Sequence, residues 1–310
     1  MENRILGLHH ITAIAGNANR NLAFYTQVLG VRLVKKTVNF DDPGTYHFYF
    51  GNEEGTPGTI LTFFPWEGIG KGINGSGLAT HIGYSVPKGS LEFWKSRLQH
   101  FNINVEEGEI FGEKLISFQD PDGLQLQFIE SSTMDDRKVW TTDDIKEENA
   151  LKGFHNVTLT LKNAAPTVKI LTDIFGYSLQ KHEGQRYRFS TDAIETANLV
   201  DIIESNEIEA GKNMAGTNHH VAFRVKDEQV LMEFREKVIA AGLNITTKIN
   251  RDYFYSLYFR EPGGILFEIA TNNPGFTVDE PLNELGTSLK LPKQHEPLRE
   301  KIEKVLPKLS

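Results

Sequence analysis

Cysteine is absent from the 310 residues of this chain, which excludes disulfide bonds, thiolate metal sites and cysteine nucleophiles. Long apolar runs are also lacking, since none approaches the length of a membrane span. Negative charge outweighs positive charge, and the net charge of -8 disfavours a surface that binds nucleic acid. The first residues lack the charged and then apolar pattern of a signal peptide. We therefore expect a cytoplasmic protein that binds neither nucleic acid nor membranes.

What the chain does contain is internal repetition. Four segments share one order of elements, namely a strand, a helix and three further strands. These segments cover about residues 7–66, 79–130, 153–204 and 217–271. A unit of this length is too short to bury a good core alone, so we expect the units to pair. The repetition predicts an α+β fold with curved, mixed or antiparallel sheets.

The order of the units also predicts the domains. We expect two modules of two βαβββ units each, residues 1–130 and 151–271. Residues 131–150 are acidic and poor in aliphatic side chains, which is typical of a linker. Residues 272–310 form a tail that contains several prolines.

The repeats supply an internal control for metal chemistry. At the first-strand position the four units carry His10, His81, Asn156 and His220. At the last-strand position we align Phe63, Gln127, Asp201 and Glu268. Only His10, His220 and Glu268 form a complete set of strong ligands. We therefore predict one metal site per chain, which requires the first and last units to meet and leaves the second and third to pair.

Other histidines have a simpler interpretation. A single histidine on a strand is more often a hydrogen-bonded core residue than a ligand. His81 lacks good partners in this alignment, and His155 aligns with His9 rather than with His10. We interpret His81 and His155 as core or hydrogen-bonding histidines.

The ligand set indicates a class of chemistry. Two imidazoles and one carboxylate leave coordination positions open, which suits non-haem Fe(II) and its reactions with dioxygen, and the same set accepts Mn(II). A carboxylate in place of Phe63 would fill one of those positions and favour Lewis-acid chemistry. Because phenylalanine cannot coordinate a metal, the sequence favours oxygen chemistry over isomerase chemistry.

Several stretches carry a resemblance to a known family. They are Leu-His-His-Ile-Thr at 8–12, the runs 34–43, 57–66 and 219–223, and the region 251–276. With these stretches the chain resembles the vicinal oxygen chelate superfamily, which includes glyoxalase I, fosfomycin-resistance proteins and extradiol dioxygenases. More closely, it resembles the hydroquinone ring-cleaving dioxygenases of that superfamily, over nearly the whole chain.

This resemblance implies Fe(II) held by His10, His220 and Glu268, surrounded by a set of catalytic residues. That set consists of His9, Thr12, His219, Arg251 and Tyr258. Thr12 shares a strand face with His10, because side chains two residues apart point the same way. On strict alternation His9 and His219 would face away, so a twist or bulge is needed to bring them in.

The remaining two residues leave alternatives open. Tyr258 would lie opposite Glu268 only if the hairpin at Pro262 has a loop with an odd number of residues. Arg251 could hold a substrate oxygen through charge-assisted hydrogen bonds, or it could be an ordinary surface arginine. Tyr258 or His219 could shuttle a proton.

The sequence predicts a ring-cleaving dioxygenase whose substrates are O2 and a small aromatic diol, of the hydroquinone type. Three alternatives remain: a catechol extradiol dioxygenase, a glyoxalase-like isomerase or metal-dependent thiol transferase, and a metal-free sequestering protein of the bleomycin-resistance type. The ring substituents stay open, as does assembly into a homo-oligomer.

Overall fold

The computed structural model describes residues 3–131 and 135–309. Residues 132–134, which belong to the predicted linker, lie outside the described residues, together with residues 1, 2 and 310. The described part of the linker packs against the folded units. There the Ile145 side chain is buried, and Arg137 Nη1 donates a hydrogen bond to the carbonyl of Gly58.

Each segment folds as a strand, a helix and three strands, as the repetition predicts. The first unit contains β1 (Leu8–Ala15), α1 (Ala18–Ala23), a π-helical turn (Phe24–Val28), β2 (Arg32–Val38), β3 (Tyr46–Gly51) and β4 (Ile60–Pro65). The second contains β5 (Leu78–Val86), α2 (Leu91–His100), β6 (Glu106–Ile110), β7 (Glu113–Gln119) and β8 (Gln125–Glu130).

The second half of the chain repeats this order. The third unit contains β9 (Gly153–Leu161), α3 (Ala165–Lys169), a π-helical turn (Ile170–Ile174), β10 (Ser178–Glu183), β11 (Arg186–Ser190) and β12 (Leu199–Glu204). The fourth contains β13 (Thr217–Val225), α4 (Glu228–Ala240), β14 (Ile249–Asn250), β15 (Phe254–Arg260) and β16 (Leu266–Pro274). The tail has short 3-10 turns at Phe276–Val278, Leu282–Glu284 and Glu296–Leu298, followed by α5 (Arg299–Val305). None of the helices in the two described ranges has the length and apolar character of a membrane span.

Local signals fix where the helices begin and end. The side chain of Asn17 accepts a hydrogen bond of 2.9 Å from the N–H of Arg20, and Asp227 accepts one of 3.0 Å from the N–H of Val230. Gly30 ends the first helical stretch with a φ of 62°, a conformation that costs glycine little. The strands that carry the two predicted histidine ligands are therefore each followed by a helix with a defined start.

The strands form two curled eight-stranded sheets. The first sheet has the order β14-β15-β16-β13-β1-β4-β3-β2, and the second has the order β10-β11-β12-β9-β5-β8-β7-β6. The first and fourth units thus share one sheet, and the second and third share the other, as the metal-site argument requires. Each sheet takes one unit from each half of the chain. Because both sheets combine the two halves of the chain, the sheets do not separate modules 1–130 and 151–271, and this division stays a prediction.

The strands of the two sheets pair in the same register. This register shows that one of the last-strand residues aligned from the sequence is wrong. In the central antiparallel pairs His10 lies opposite Ala222, and His81 lies opposite Thr158. Within each of the second, third and fourth units, the last strand pairs with the first strand of that unit. The residue at the last-strand position lies opposite the residue two positions after the first-strand position. In the first unit that residue is Thr62, which pairs with Thr12. The alignment of Phe63 with Glu268 is therefore wrong by one residue.

Phe63 faces the opposite side of the sheet, which is the core. Its ring is fully buried and packs against the rings of Tyr25 and Phe50, with centroids 4.6 and 6.0 Å away. Since side chains alternate along a strand, a slip of one residue exchanges the two faces. The threonine that stands on the site face lacks a carboxylate, so the conclusion drawn from Phe63 holds for Thr62.

Candidate metal centre

Three potential metal ligands converge at one point of the first sheet. His10 lies on β1, His220 on β13 and Glu268 on β16, which are neighbouring strands. Glu268 Oε2 lies 2.9 Å from His220 Nε2 and 3.3 Å from His10 Nε2, and the two nitrogens are 3.4 Å apart. The ligand atoms all lie within 4.8 Å of one another. The fold thus brings together the residues that the repeats single out.

The protonation states of these side chains suit a metal ion. The residues are 2% (His10), 5% (His220) and 0% (Glu268) exposed. Burial raises the pKa of the Glu268 carboxyl, but His10 and His220 outweigh burial and hold this pKa well below its ordinary value. Burial lowers the pKa of His220. An ionised carboxylate and a neutral imidazole are the forms that bind metals, so the pKa shifts of Glu268 and His220 favour the binding forms near neutral pH.

One oxygen of the site lacks a hydrogen-bond partner. Glu268 Oε1 accepts a hydrogen bond from the hydroxyl of Ser256, whereas the buried Oε2 has no such partner among the described residues. A buried carboxylate oxygen without a donor is costly, and a cation relieves that cost. Two imidazole nitrogens and one carboxylate oxygen form the donor set that suits Fe(II), so the residues present fit this ion.

His9 fixes the orientation of His10. Its Nε2 lies 3.0 Å from the carbonyl oxygen of Thr271, and its Nδ1 lies 2.9 Å from His10 Nδ1. A carbonyl only accepts hydrogen bonds, so His9 carries its proton on Nε2 and accepts through Nδ1. His10 must then donate from Nδ1, which leaves the lone pair of its Nε2 directed at the site. A second residue that sets the tautomer of a ligand in this way is common in metal sites.

His219 has the same relation to His220. The two Nδ1 atoms are 2.8 Å apart, so His219 can accept a proton that His220 donates and leave His220 Nε2 free. Burial is the main reason that the pKa of His219 is lowered to about 3, which keeps the ring neutral. His9 and His219 both lie where the pairing of β1 with β13 shifts its register. These irregularities explain why neither ring follows strict alternation.

Thr12 belongs to a chain of hydrogen bonds on the site face. Its Oγ1 lies 2.8 Å from Thr62 Oγ1, which in turn lies 2.9 Å from His47 Nε2. Thr12 pairs with His220 across the two central strands. It therefore shares the site face with His10, as the spacing predicts, and links the metal-ligand strands to β3.

A cavity of about 320 Å³ opens beside the three ligands. Its walls are mainly aromatic and imidazole rings, and Arg251 and Asp41 contribute charged side chains. The lining residues are His10, Asn39, Phe40, Asp41, His47, Tyr49, Phe64, Trp66, His219, His220, Thr246, Ile249, Arg251, Phe254, Tyr258 and Leu266. Such a pocket suits a flat aromatic molecule with a few polar groups.

Arg251 lies in this cavity and is not an ordinary surface residue. Its side chain is 18% exposed, and its Nε donates a hydrogen bond of 3.2 Å to the hydroxyl of Tyr258. The guanidinium carbon lies 5.3 Å from the ring centre of Phe40, and Nη1 lies 3.7 Å from Asp41 Oδ2. These contacts hold the charge beside the cavity.

Tyr258 lies directly opposite Glu268 in the pairing of β15 with β16. The loop between the paired residues Arg260 and Leu266 covers residues 261–265, an odd number, which is the condition that the sequence sets for this placement. Burial raises the pKa of Tyr258, so its hydroxyl stays protonated at neutral pH. It accepts from Arg251 and keeps its own hydrogen for another partner.

Sequence reasoning missed the residues that β3 contributes. His47 and Tyr49 alternate along β3 and line the cavity, as does Phe64 on the neighbouring strand. The available signal was the pairing of a histidine with a tyrosine two positions apart, in a unit that carries a metal ligand. Without the register of the sheet, that signal does not say which face they share.

Most of the chain matches a known protein family. Residues 7–128 and 153–269 match the family model described as the Glyoxalase/Bleomycin resistance protein/Dioxygenase superfamily. The chain belongs to this superfamily. The fold expected for a member, with curled sheets and few helices, is confirmed.

Relatives within the superfamily extend over nearly the whole chain. MhqE of Bacillus subtilis (strain 168), which is named as a ring-cleaving dioxygenase, is 46% identical over 98% of this chain and 99% of its own. The chlorohydroquinone/hydroquinone 1,2-dioxygenase of Sphingobium indicum is 35% identical over 96% of this chain and 95% of its own. The resemblance to hydroquinone ring-cleaving dioxygenases is therefore confirmed.

Two solved structures have a fold similar to that of this chain. A Bacillus subtilis protein described as a dioxygenase aligns with a TM-score of 0.95 and 42% identity, covering 99% of this chain and 98% of that one. Glyoxalase I from Zea mays aligns with a TM-score of 0.63 and 15% identity, covering 87% of this chain and 92% of that one. At that identity the second match shows a shared fold alone.

Proposed function

We propose that this protein is an Fe(II)-dependent dioxygenase that cleaves the ring of hydroquinone-type aromatic diols with O2. One observation carries the proposal: two histidines and one glutamate converge beside an aromatic cavity, and threonine stands where a fourth ligand could stand. The two relatives named as ring-cleaving dioxygenases support the reaction class. The name of the Sphingobium indicum relative supports the hydroquinone substrate.

His10, His220 and Glu268 would hold the metal. When bound, Fe(II) in such a donor set supplies open positions at which a substrate oxygen and dioxygen meet. The protein's own contribution is to keep both imidazoles as neutral ligands. His9 and His219 do this by accepting the Nδ1 protons of the two ligand rings.

Arg251 and Tyr258 would stabilise the substrate. A diol that enters as its mono-anion carries a negatively charged oxygen, and the permanent charge of Arg251 would favour that form in the cavity. The Tyr258 hydroxyl accepts a hydrogen bond from Arg251 Nε and can donate its own hydrogen to a substrate oxygen. The aromatic walls exclude water and orient the ring by stacking.

Anaerobic reconstitution with Fe(II), followed by oxygen uptake with hydroquinone and catechol side by side, tests the proposal. We expect uptake with hydroquinone at one O2 per ring opened, and slower uptake with catechol. A parallel sample loaded with Mn(II) tests the choice of metal. Faster turnover of catechol would assign the protein to the extradiol class. A protein that binds no metal, or that holds Fe(II) and consumes no oxygen with either diol, would refute the proposal.

A further inference from the structure

His47 has no part in the metal site, yet it reaches the same cavity. It lies on β3, two strands away from β1 in the order of the first sheet. Its ring packs between two others on the site face, with centroids 4.1 Å from Tyr49 and 4.3 Å from Phe64. The residue is 7% exposed, so these rings hold the imidazole in one place.

The two nitrogens of His47 differ in their surroundings. Nε2 lies 2.9 Å from Thr62 Oγ1, whereas the buried Nδ1 has no hydrogen-bond partner among the described residues. Buried polar atoms in proteins nearly always have a partner. His47 lines the cavity, so a small shift of the rings packed against it would let a molecule in the cavity supply the partner that the protein does not.

Building on the proposed function, we infer that His47 Nδ1 binds the substrate hydroxyl that is remote from the metal, and thereby selects 1,4-diols. The three metal ligands come from β16, β13 and β1, while His47 comes from β3, further along the same face. A 1,4-diol carries oxygens at opposite ends of its ring. A 1,2-diol carries both at one end and has nothing to offer His47.

The bonding requires no particular tautomer of His47. A neutral imidazole nitrogen either donates or accepts a hydrogen bond, and a hydroxyl group does both, whereas a methyl group of similar size does neither. Discrimination between a hydroxyl and a methyl group at this position therefore reports directly on Nδ1.

His47 could instead act only through Thr62, and two variants separate the roles. His47→Gln places an amide near the position of Nε2, so it keeps a partner for Thr62 and loses the group at Nδ1. His47→Asn places its amide near the position of Nδ1 and loses the contact with Thr62. Neither change removes a residue that we assign as a metal ligand, and iron content verifies that the site is loaded.

The experiment measures binding of hydroquinone and 4-methylphenol to Fe(II)-loaded protein without oxygen, by titration calorimetry. We expect the wild-type protein to prefer hydroquinone by about tenfold or more, the ratio that one good hydrogen bond supports. His47→Gln should lose this preference, and His47→Asn should keep most of it. In oxygen uptake, His47→Gln should also lower the kcat/KM ratio of hydroquinone to catechol.

An unchanged preference in His47→Gln would overturn the inference. So would a preference lost in His47→Asn and kept in His47→Gln, since that result assigns the effect to Thr62. Failure of the proposed function looks different, because the wild-type protein would then consume no oxygen with any 1,4-diol.

Discussion

The two sheets share one topology and one register but differ in what stands at the site positions. In the first sheet, His10, His220 and Glu268 converge around a carboxylate oxygen that lacks a hydrogen-bond partner. In the second sheet, the equivalent of Glu268 is Asp201, and both of its oxygens accept hydrogen bonds from Arg188, at 2.7 and 2.8 Å. Arg188 pairs with Asp201 as Tyr258 pairs with Glu268.

The same fold therefore leaves a carboxylate free to bind a metal ion in the first sheet and pairs the equivalent carboxylate with protein groups in the second. Asn156, the counterpart of His220, donates a hydrogen bond of 2.7 Å to Asp201 Oδ2. The Arg188 guanidinium also contacts Glu113, which His155 approaches to 3.1 Å. A permanent cation thus neutralises the carboxylate in the second sheet, and no place remains for another.

The largest expected effect comes from removing a ligand of the first sheet. His220→Ala should abolish metal binding and reduce turnover to background, because two ligands do not hold Fe(II) firmly. Metal analysis and oxygen uptake measure both results. The matched control is His81→Ala, which removes the histidine that stands in the second sheet at the position of His10 and should keep one metal per chain. Full metal content in His220→Ala would disprove the ligand assignment.

Removing the cation of the second sheet should instead destabilise the fold. Arg188→Met leaves Asp201 and Glu113 without their partner, and breaking a buried ion pair in this way costs about 3–5 kcal/mol. Urea unfolding of the metal-free protein measures the loss, while metal binding per folded chain should stay unchanged. Arg188→Met combined with Asp201→Leu should recover much of the stability. Wild-type stability in the single variant would contradict this account.

Arg251 places a permanent positive charge in the cavity of the first sheet, and its loss should affect catalysis. Arg251→Ala should keep Fe(II) but lower kcat/KM for hydroquinone by about 10- to 100-fold, as expected for a charge-assisted hydrogen bond of about 1.5–3 kcal/mol. Arg251→Lys should restore activity only in part, because ammonium lacks the planar fork of guanidinium. Steady-state oxygen uptake decides the point. Wild-type turnover in Arg251→Ala would remove this residue from the mechanism.

His9 on β1 and His155 on β9 each precede the first-strand position of their unit, so the two histidines can be compared. His9→Phe should weaken metal affinity by about 10- to 100-fold, because His10 would lose the acceptor that fixes its tautomer. His155→Phe removes a histidine that precedes Asn156 in the second sheet, as His219 precedes His220 in the first, and should leave metal affinity unchanged. Competition with a chelator measures both affinities. Equal affinities in the two variants would show that His9 does not orient His10.

The smallest expected effect is a pH dependence in the second sheet. Burial raises the pKa of Glu113, but His155 and Arg188 outweigh burial and lower it to about 2 from an ordinary 4.5. A depressed pKa stabilises the folded protein at pH values above the ordinary pKa of the group. That stability is lost as the pH falls towards 2. Glu113→Gln should therefore lose less stability than the wild-type protein between pH 5 and pH 3, as measured by urea unfolding. Parallel profiles would show that Glu113 contributes nothing.

The sequence was sufficient for the features that depend on repetition. The unit order, the meeting of the first and last units, and the convergence of His10, His220 and Glu268 all follow from strands that repeat at fixed places. The assignment of Phe63 failed because strand ends are uncertain by one residue, and one residue exchanges the faces of a strand.

Other features lie beyond sequence reasoning for physical reasons. His9 and His219 reach their partners through register shifts, which depend on how two distant strands pair. Arg188 reaches both Asp201 and Glu113, which come from different units, so its role depends on tertiary contact. The place of His47 in the cavity likewise depends on the curl of a whole sheet.

Crystallography of Fe(II)-loaded protein, with data collected at the iron absorption edge, tests the central claim most directly. We predict one anomalous peak per chain, bounded by His10 Nε2, His220 Nε2 and Glu268 Oε2, with no peak beside Arg188 and Asp201. A peak in the second sheet, a fourth protein ligand on the iron, or no peak in the first sheet would contradict the account.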